Sequence, residues 1–304
     1  DFYEMFYEDA LTAARALDLT LTSRAKDAAG DAIPMCGIPY HAADSYLTRL
    51  VREGFRVAIC EQIEGTKSQK GIMRREVVRV VSPGTLTDSS YLEDREPIFL
   101  MGLVVQPLNR MQNKEAGGHL DSYGMALLDV STGEFTAAGY LGETGRQALV
   151  DDINILNPRE VLIPSGSEAQ KLLSDSSGQA VTKVDPWLFD SERAREALIA
   201  QFKTIGLEGF GMADQPAAVG AAGAVVHYLR ETQKAQLAHV RSISFRENTD
   251  SMVIDSSTLK HLEIVVSSEG KRAGSLLDGI DLTATIMGSR LLRGWLLRPL
   301  LNLE

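Results

Sequence analysis

A turn-rich, acidic stretch running from Ser82-Pro83-Gly84 to Pro97 constrains this chain most, because neither a helix nor a central strand is expected to pass through it. Whatever folds before it must close on itself, and so must whatever folds after it. Upstream, residues 1–83 alternate strand-like and helix-like periods: an opening strand, a helix at 8–19, a strand near 21–22, a helix at 43–53 and strands at 56–63 and 75–81. Asp44 is placed to cap the start of the second helix, and Gly54 to end it. Downstream, strands are expected at 98–105, 123–130 and 134–140, the last two joined as a hairpin through Ser131-Thr132-Gly133. A helix to residue 156, a strand at 160–163, helices at 167–173 and 191–202, and a small-residue helix at 217–238 follow; Gly220 and Gly223 predict close packing of the last on a sheet face. Residues 251–304 read as mixed helix and turn, with Leu291, Leu292, Trp295 and Leu296 at helical spacing and no evident cover. The fold class is therefore α/β, divided as a first domain at 1–83, a linker at 84–97, a second domain at 98–238 and the start of a helical third region at 239–304.

With 304 residues, 44% hydrophobic and 24% charged, the chain has ample material for buried cores. No apolar run approaches the roughly 18 to 20 residues a membrane span needs, so the reading is a cytoplasmic protein with no membrane partner. Cys36 and Cys60 lack the spacing of a disulfide framework or zinc site and read as small core residues. The net charge of −10 argues against a dedicated nucleic-acid module, yet residues 1–83 carry eleven Lys and Arg against twelve Asp and Glu, so that region is close to neutral. Within it Lys67, Lys70, Arg74, Arg75 and Arg79 gather around Glu76, either to neutralise phosphates or to protect a solvated edge strand.

The opening run Asp1-Phe2-Tyr3-Glu4-Met5-Phe6-Tyr7 is the sharpest candidate site. Strand alternation puts Phe2, Glu4 and Phe6 on one face and Tyr3, Met5 and Tyr7 on the other. A ring beside a carboxylate suits inspection of a DNA base step: the ring enters from the minor groove, and the carboxylate addresses a base edge. Read from spacing alone, Phe2 is otherwise a core residue of an aromatic strand.

The same run, continued to Ala10, resembles the mismatch-recognition motif of the bacterial MutS family of DNA mismatch-repair proteins, whose core is Phe-x-Glu. Further blocks resemble that family in the same order: Ile33 to Ala42, Val57 to Gln62, Lys70-Gly71-Ile72 through Arg75-Glu76-Val77-Val78-Arg79 to Thr85, and Met287 to Leu300. Departures are small: Ser82 stands where Thr is common, and the Gly before Asp1 is absent. The resemblance implies a mixed α/β mismatch-recognition domain, a ribonuclease-H-like α/β connector and the beginning of an all-α core, with both ends of the chain cut. It also implies that Phe2 stacks on a mispaired or unpaired base while Glu4 hydrogen-bonds it. Pro34 and Met35, in a loop shaped by Gly37 and Pro39, are then either minor-groove neighbours of the wedge or a buried turn, and His41 is a structural residue; Lys67, Lys70, Arg74 and Arg75 of the basic patch are the candidates for further DNA contacts. The implied partners are duplex DNA with mismatches or small loops, the repair protein MutL through the connector, and a second copy of the chain, at the nucleoid in the cytoplasm.

Enzyme chemistry finds little support in the residues. No Gly-x-x-x-x-Gly-Lys-Ser/Thr run is present to cradle phosphates, since Gly270-Lys271 lacks the first glycine, so the ATP and magnesium of the family fall in a part beyond residue 304. No zinc-protease motif or nucleophile elbow occurs either, and no catalytic, cofactor or metal residue is assigned. Two alternatives stand beside the recognition reading. Asp129, late in a buried-looking strand, is placed like the metal-binding Asp of ribonuclease-H-like nucleases, with Glu134, Asp151 and Asp152 as further carboxylates, or it is a hydrogen-bond acceptor at a strand end. The other alternative reads the second domain as a protein-binding scaffold alone.

Overall fold

A computed structural model describes residues 2–23, 26, 30–67 (backbone alone for 64–67), 73–86, 97–107, 121–173, 178–233, 237–246, 252 and 254–301. It forms two compact units, residues 1–86 with 232–234 and residues 87–231 with 235–304. No helix among the described residues is long and apolar enough to cross a membrane.

In the first unit, strand β1 (Phe2–Phe6) runs antiparallel to β2 (Met35–Pro39), with Phe2 opposite Pro39, Glu4 opposite Gly37 and Phe6 opposite Met35. Helix α1 (Tyr7–Leu17) packs on them through Ala10, Ala13, Ala14 and Leu17, an i, i+3, i+4, i+7 stripe whose small residues bring the helix close to the strands. Helix α2 (Ala43–Arg52) adds Leu50, and Cys36 fills the space between. Strands β3 (Val57–Lys67) and β4 (Met73–Val81) form a separate antiparallel ribbon, which with Val51 and Leu86 closes a second small core.

Local expectations largely hold here, with four corrections. The strand near residue 22 is only an isolated bridge, in which Thr22 and Met35 exchange both backbone hydrogen bonds, with a second isolated bridge between Lys26 and Ala32. Ala42 occupies the N-cap of α2 without a side-chain bond, and Asp44 lies two residues on, within the first turn, where a carboxylate still complements the helix dipole. Gly54 does end α2: its φ is +89° and its N–H donates to the Val51 carbonyl at 3.0 Å. Cys36 is buried but Cys60 is exposed, so only the first is a core residue. Tyr7 has left the strand: with φ +54° it makes the corner into α1 and is solvent exposed, where alternation had put it beside Tyr3 and Met5.

The second unit is built on a six-stranded sheet. Strands β5 (Phe99–Pro107), β6 (Asp121–Asp129) and β7 (Phe135–Leu141) form an antiparallel meander, closed at Gly133, whose φ is +79°. After helix α3 (Gly142–Leu156) comes β8 (Glu160–Pro164), parallel to β5; after α4 (Ala169–Leu173) comes β9 (Ala180–Val184), parallel to β8. Helices α5 (Ser191–Phe202) and α6 (Pro216–Gln233) follow, and β10 (Ser244–Phe245) adds a parallel edge beside β7. In the spatial order β10-β7-β6-β5-β8-β9 the three central strands are antiparallel, with β10 parallel at one edge and β8 and β9 parallel at the other, a mixed sheet in an α/β unit.

Both faces of this sheet are buried, which is why β5 and β6 read as nearly continuous apolar runs. Met101, Leu103 and Met125 meet α3 and α4, while Leu100, Val104, Ala126 and Leu128 meet α6. The close approach of α6 to the sheet is made by strand glycines: a Cβ on Gly102 would stand 2.5 Å from the Ala221 carbonyl oxygen, and one on Gly124 only 2.0 Å from that of Ala217. Gly220 and Gly223 instead face the Phe189 carbonyl and α5, correcting the expectation that they meet the sheet. Beyond them lie α7 (Ser256–His261), α8 (Leu276–Ile280) and α9 (Ile286–Leu297), each opened by a capping side chain, Asp255, Ser275 and Thr285 respectively. The uncovered stripe is real in part: Leu291 and Trp295 are exposed, and Leu292 and Leu296 half-buried.

Candidate nucleic-acid interface

Strand β1 shows two chemically different faces. Phe2, Glu4 and Phe6 are exposed, Phe2 at 65%, whereas Tyr3 and Met5 are turned inward. An exposed phenylalanine at this level is not the core residue that spacing alone allowed. Its ring lies beside Gly37 on the neighbouring strand, where a Cβ would sit 3.7 Å from Phe2 Cδ1. Glu4 is directly opposite that glycine, so no side chain across the ladder stands between Glu4 and Phe2 on this face.

The inward face holds the strand still. Met5 packs on the core of α1 and α2. The Tyr3 hydroxyl donates to the Glu61 carboxylate on β3, and its ring stacks on Tyr40 with centroids 5.6 Å apart. Donation to Glu61, with burial adding to it, pushes the Tyr3 phenol up to about 12, so it stays a donor throughout the neutral range. At the end of the strand the Tyr7 amide donates to the Pro34 carbonyl at 3.0 Å, fixing the corner.

The other expected contacts are placed unequally. Met35 is buried, and its backbone bonds Thr22, so it supports β1 from beneath and offers no side chain at the surface. Pro34 is half-buried beside Tyr7. Arg74 and Arg75 are exposed on β4, but Arg74 is paired with Glu76 at 2.6 Å while Arg75 points to the opposite face, across from Gln62. The pair lies close to the anchor of β1, because Glu61 faces Glu76 across the ribbon. Lys67 ends β3 opposite Met73, and its side chain and all of Lys70 lie outside the described residues.

Asp129 is occupied by other work. One carboxylate oxygen accepts from the Ser131 amide at 2.9 Å and hydroxyl at 2.6 Å, and the other from Arg290 at 3.0 Å. Asp152 accepts from Tyr140, Arg246 and Arg298. This geometry favours the strand-end acceptor over the nuclease alternative. Among the described residues no group of three His, Cys, Asp or Glu side chains is gathered to hold a metal ion.

Three family models match the chain in sequence order: MutS domain I over residues 1–90, MutS domain II over 115–241 and MutS domain III over 257–304. The chain belongs to the MutS family. Relatives named DNA mismatch repair protein MutS include that of Solibacter usitatus (strain Ellin6076), 43% identical over 310 residues, covering 99% of this chain and 34% of that protein. That of Pelotomaculum thermopropionicum is 41% identical over 306 residues, with coverage of 99% and 34%, and that of Alkaliphilus oremlandii 38% identical over 312 residues, with 100% and 34%. The chain thus spans about a third of the length of the MutS relatives it matches. The candidate face on β1 and β4 falls in the part matched by MutS domain I.

Sequence reasoning missed what holds that face. Tyr3 and Glu61 are 58 residues apart, and only the inward phase of Tyr3 hinted that its hydroxyl would need a buried acceptor. Gly37 was read as shaping a loop, but it is a strand residue beside Phe2.

Proposed function

We propose that this chain recognises mispaired or unpaired bases in duplex DNA and so initiates mismatch repair, with Phe2 as the wedge and Glu4 as its hydrogen-bonding partner. The observation that carries the reading is the exposure of Phe2 and Glu4 side by side on a strand whose opposite face is fixed by Tyr3 and Met5. A wedge must be solvent-accessible before DNA arrives and rigidly backed while it unstacks a base step. Weak pairing lowers the cost of the kink, so discrimination comes from DNA deformability more than from a base code. Glu4 suits a base edge and not the backbone, since phosphates repel a carboxylate. Of Arg74 and Arg75, Arg75 is the better phosphate contact, because Arg74 already has Glu76.

In this reading the chain is the inspecting part of a longer, dimeric, ATP-dependent clamp that engages MutL through its second domain and works at the nucleoid in the cytoplasm. ATP and magnesium belong to other residues, because no phosphate-cradling run occurs in this sequence. The test is competitive binding of the full-length protein to a duplex with one unpaired thymine against its paired counterpart. Phe2→Ala is expected to abolish the preference and leave the salt-dependent binding to paired DNA. An unchanged preference in Phe2→Ala overturns the reading.

A further inference from the structure

The last part of the chain meets the unit built on the six-stranded sheet where α7 lies against α3 and, at α9, through charges. Neither hydrophobic core of that sheet takes a residue beyond Phe245 among the described residues. The leucines buried further along, Leu259, Leu277 and Leu297, belong to neither core. Helix α9 turns Met287, Leu291 and Trp295 to solvent and buries only Ser289 and Leu297. Its two arginine attachments to the sheet are polar. Arg290 donates to Asp129 at the end of β6 and to the Ser131 hydroxyl, at 3.0 and 2.6 Å. Arg298, just past the helix, donates to Asp152 on α3, which also receives Arg246 and Tyr140. Both acceptors lie in the part matched by MutS domain II, and both arginines in the part matched by MutS domain III.

These pairs are shielded from water: the Asp129 and Arg290 side chains are 3% and 13% exposed, and those of Asp152 and Arg298 are 14% and 22%. A shielded ion pair sits close to balance between the Coulomb attraction it gains and the hydration it gives up, so separating both charges into water costs little, whereas stripping one partner leaves a buried charge uncompensated. An apolar seam has no such balance, because opening it always exposes surface. The spacing adds a second element. Arg290 lies on α9 and Arg298 is the residue that caps its C-terminus, eight positions on, so both pairs close or open together unless the helix bends or its capping residue turns away.

We propose that Asp129 and Asp152 form a two-point charge catch that holds helix α9 on the sheet and releases it as a unit while the sheet stays folded. The catch makes docking of this segment an equilibrium set by ionic conditions and by any charged group that competes for either aspartate. Arg272, Asp281 and Ser289, which bond one another inside the segment, keep α9 tied to the turn before it when the catch opens. The released body is then α9 with the turn before it, not a frayed helix end.

The proposal predicts a separation of two behaviours in hydrogen exchange of the full-length protein. In Arg290→Gln/Arg298→Gln, amides of α9 exchange at least about tenfold faster, while those of β5, β6 and β7 keep wild-type protection; Arg290→Lys/Arg298→Lys, which keeps both charges, stays within a few-fold of wild type. Raising salt to about 1 M accelerates α9 in the wild type without touching the sheet, a readout that does not depend on any variant folding. Loss of protection in sheet and α9 together, or α9 amides indifferent to both salt and the glutamine pair, would overturn the catch.

Discussion

The hydroxyl of Tyr3 donates to the carboxylate of Glu61, and that bond ties the candidate recognition strand to the ribbon that carries Arg74 and Arg75. Because the phenol is pushed up to about 12 from an ordinary value of 10.0, its folded form holds its proton after the unfolded form has lost it. The contribution of Tyr3 to stability is therefore fully present below pH 10 and is lost as the pH rises towards 12. Urea titrations at pH 8 to 11 are expected to show wild type losing its advantage over Tyr3→Phe across the upper part of that range. At neutral pH the same variant is expected to lose about 1 kcal/mol, a typical net value for one hydrogen bond. A difference that does not change with pH would contradict the assignment.

Adjacent residues of β1 are expected to respond in opposite ways. Phe2→Ala removes a side chain that is 65% exposed, so its melting temperature should match wild type, within about 0.5 kcal/mol. Met5→Ala removes a half-buried side chain from the core of α1 and α2 and is expected to cost about 1 to 2 kcal/mol, below the range for full burial. Paired with DNA binding, this separates function from folding: Phe2→Ala loses discrimination with stability intact, and Met5→Ala loses stability first.

The elements that sequence reading found are those whose signal is local. Helix α1 is written in Ala10, Ala13, Ala14 and Leu17, the β6–β7 hairpin in Gly133, and the end of α2 in Gly54. Strands β9 and β10 escaped because each is a short edge strand with only one neighbour to bury against, which leaves little periodicity to read. The exposed face of β1 was legible in phase from alternation, but its exposure was not, since a strand of aromatics reads as core until the partner strand is known. Asp129 shows the limit most plainly. Its position at a strand end was legible, but its partner Arg290 lies 161 residues away, and nothing near either residue marks the pairing.

Glycines of similar appearance are expected to differ sharply in tolerance. At Gly124 a methyl group would be driven to 2.0 Å from the Ala217 carbonyl oxygen of α6, and backbone on both sides prevents escape. Gly124→Ala is expected to cost at least about 3 kcal/mol, the upper part of the range for overpacking, as a downward shift in the urea midpoint of the second unit. At Gly37 the nearest atom to such a methyl, the Tyr3 carbonyl oxygen, is at 3.4 Å, an ordinary contact. Gly37→Ala should therefore fold normally, and its methyl beside the Phe2 ring makes it a mild probe of how the wedge is seated.

Tyr7 holds the corner between β1 and α1 in a conformation that L side chains rarely adopt, at φ +54°. The Tyr7 amide bond to Pro34 imposes that conformation, because α1 can start only after the chain has turned away from β2. A left-handed residue with a side chain carries roughly 1 to 2 kcal/mol of strain, and a β-branched one more. Tyr7→Gly should relieve it, offset in part by the greater freedom of glycine in the unfolded chain, so the net change is expected to be small. Tyr7→Val is expected to destabilise the first unit by about 1 kcal/mol or more beyond Tyr7→Ala, since all three lose the same exposed ring but only valine adds branching at the strained position. Equal melting points for the alanine and valine variants would mean that the corner relaxes, and with it the placement of Phe6 at the end of the recognition strand.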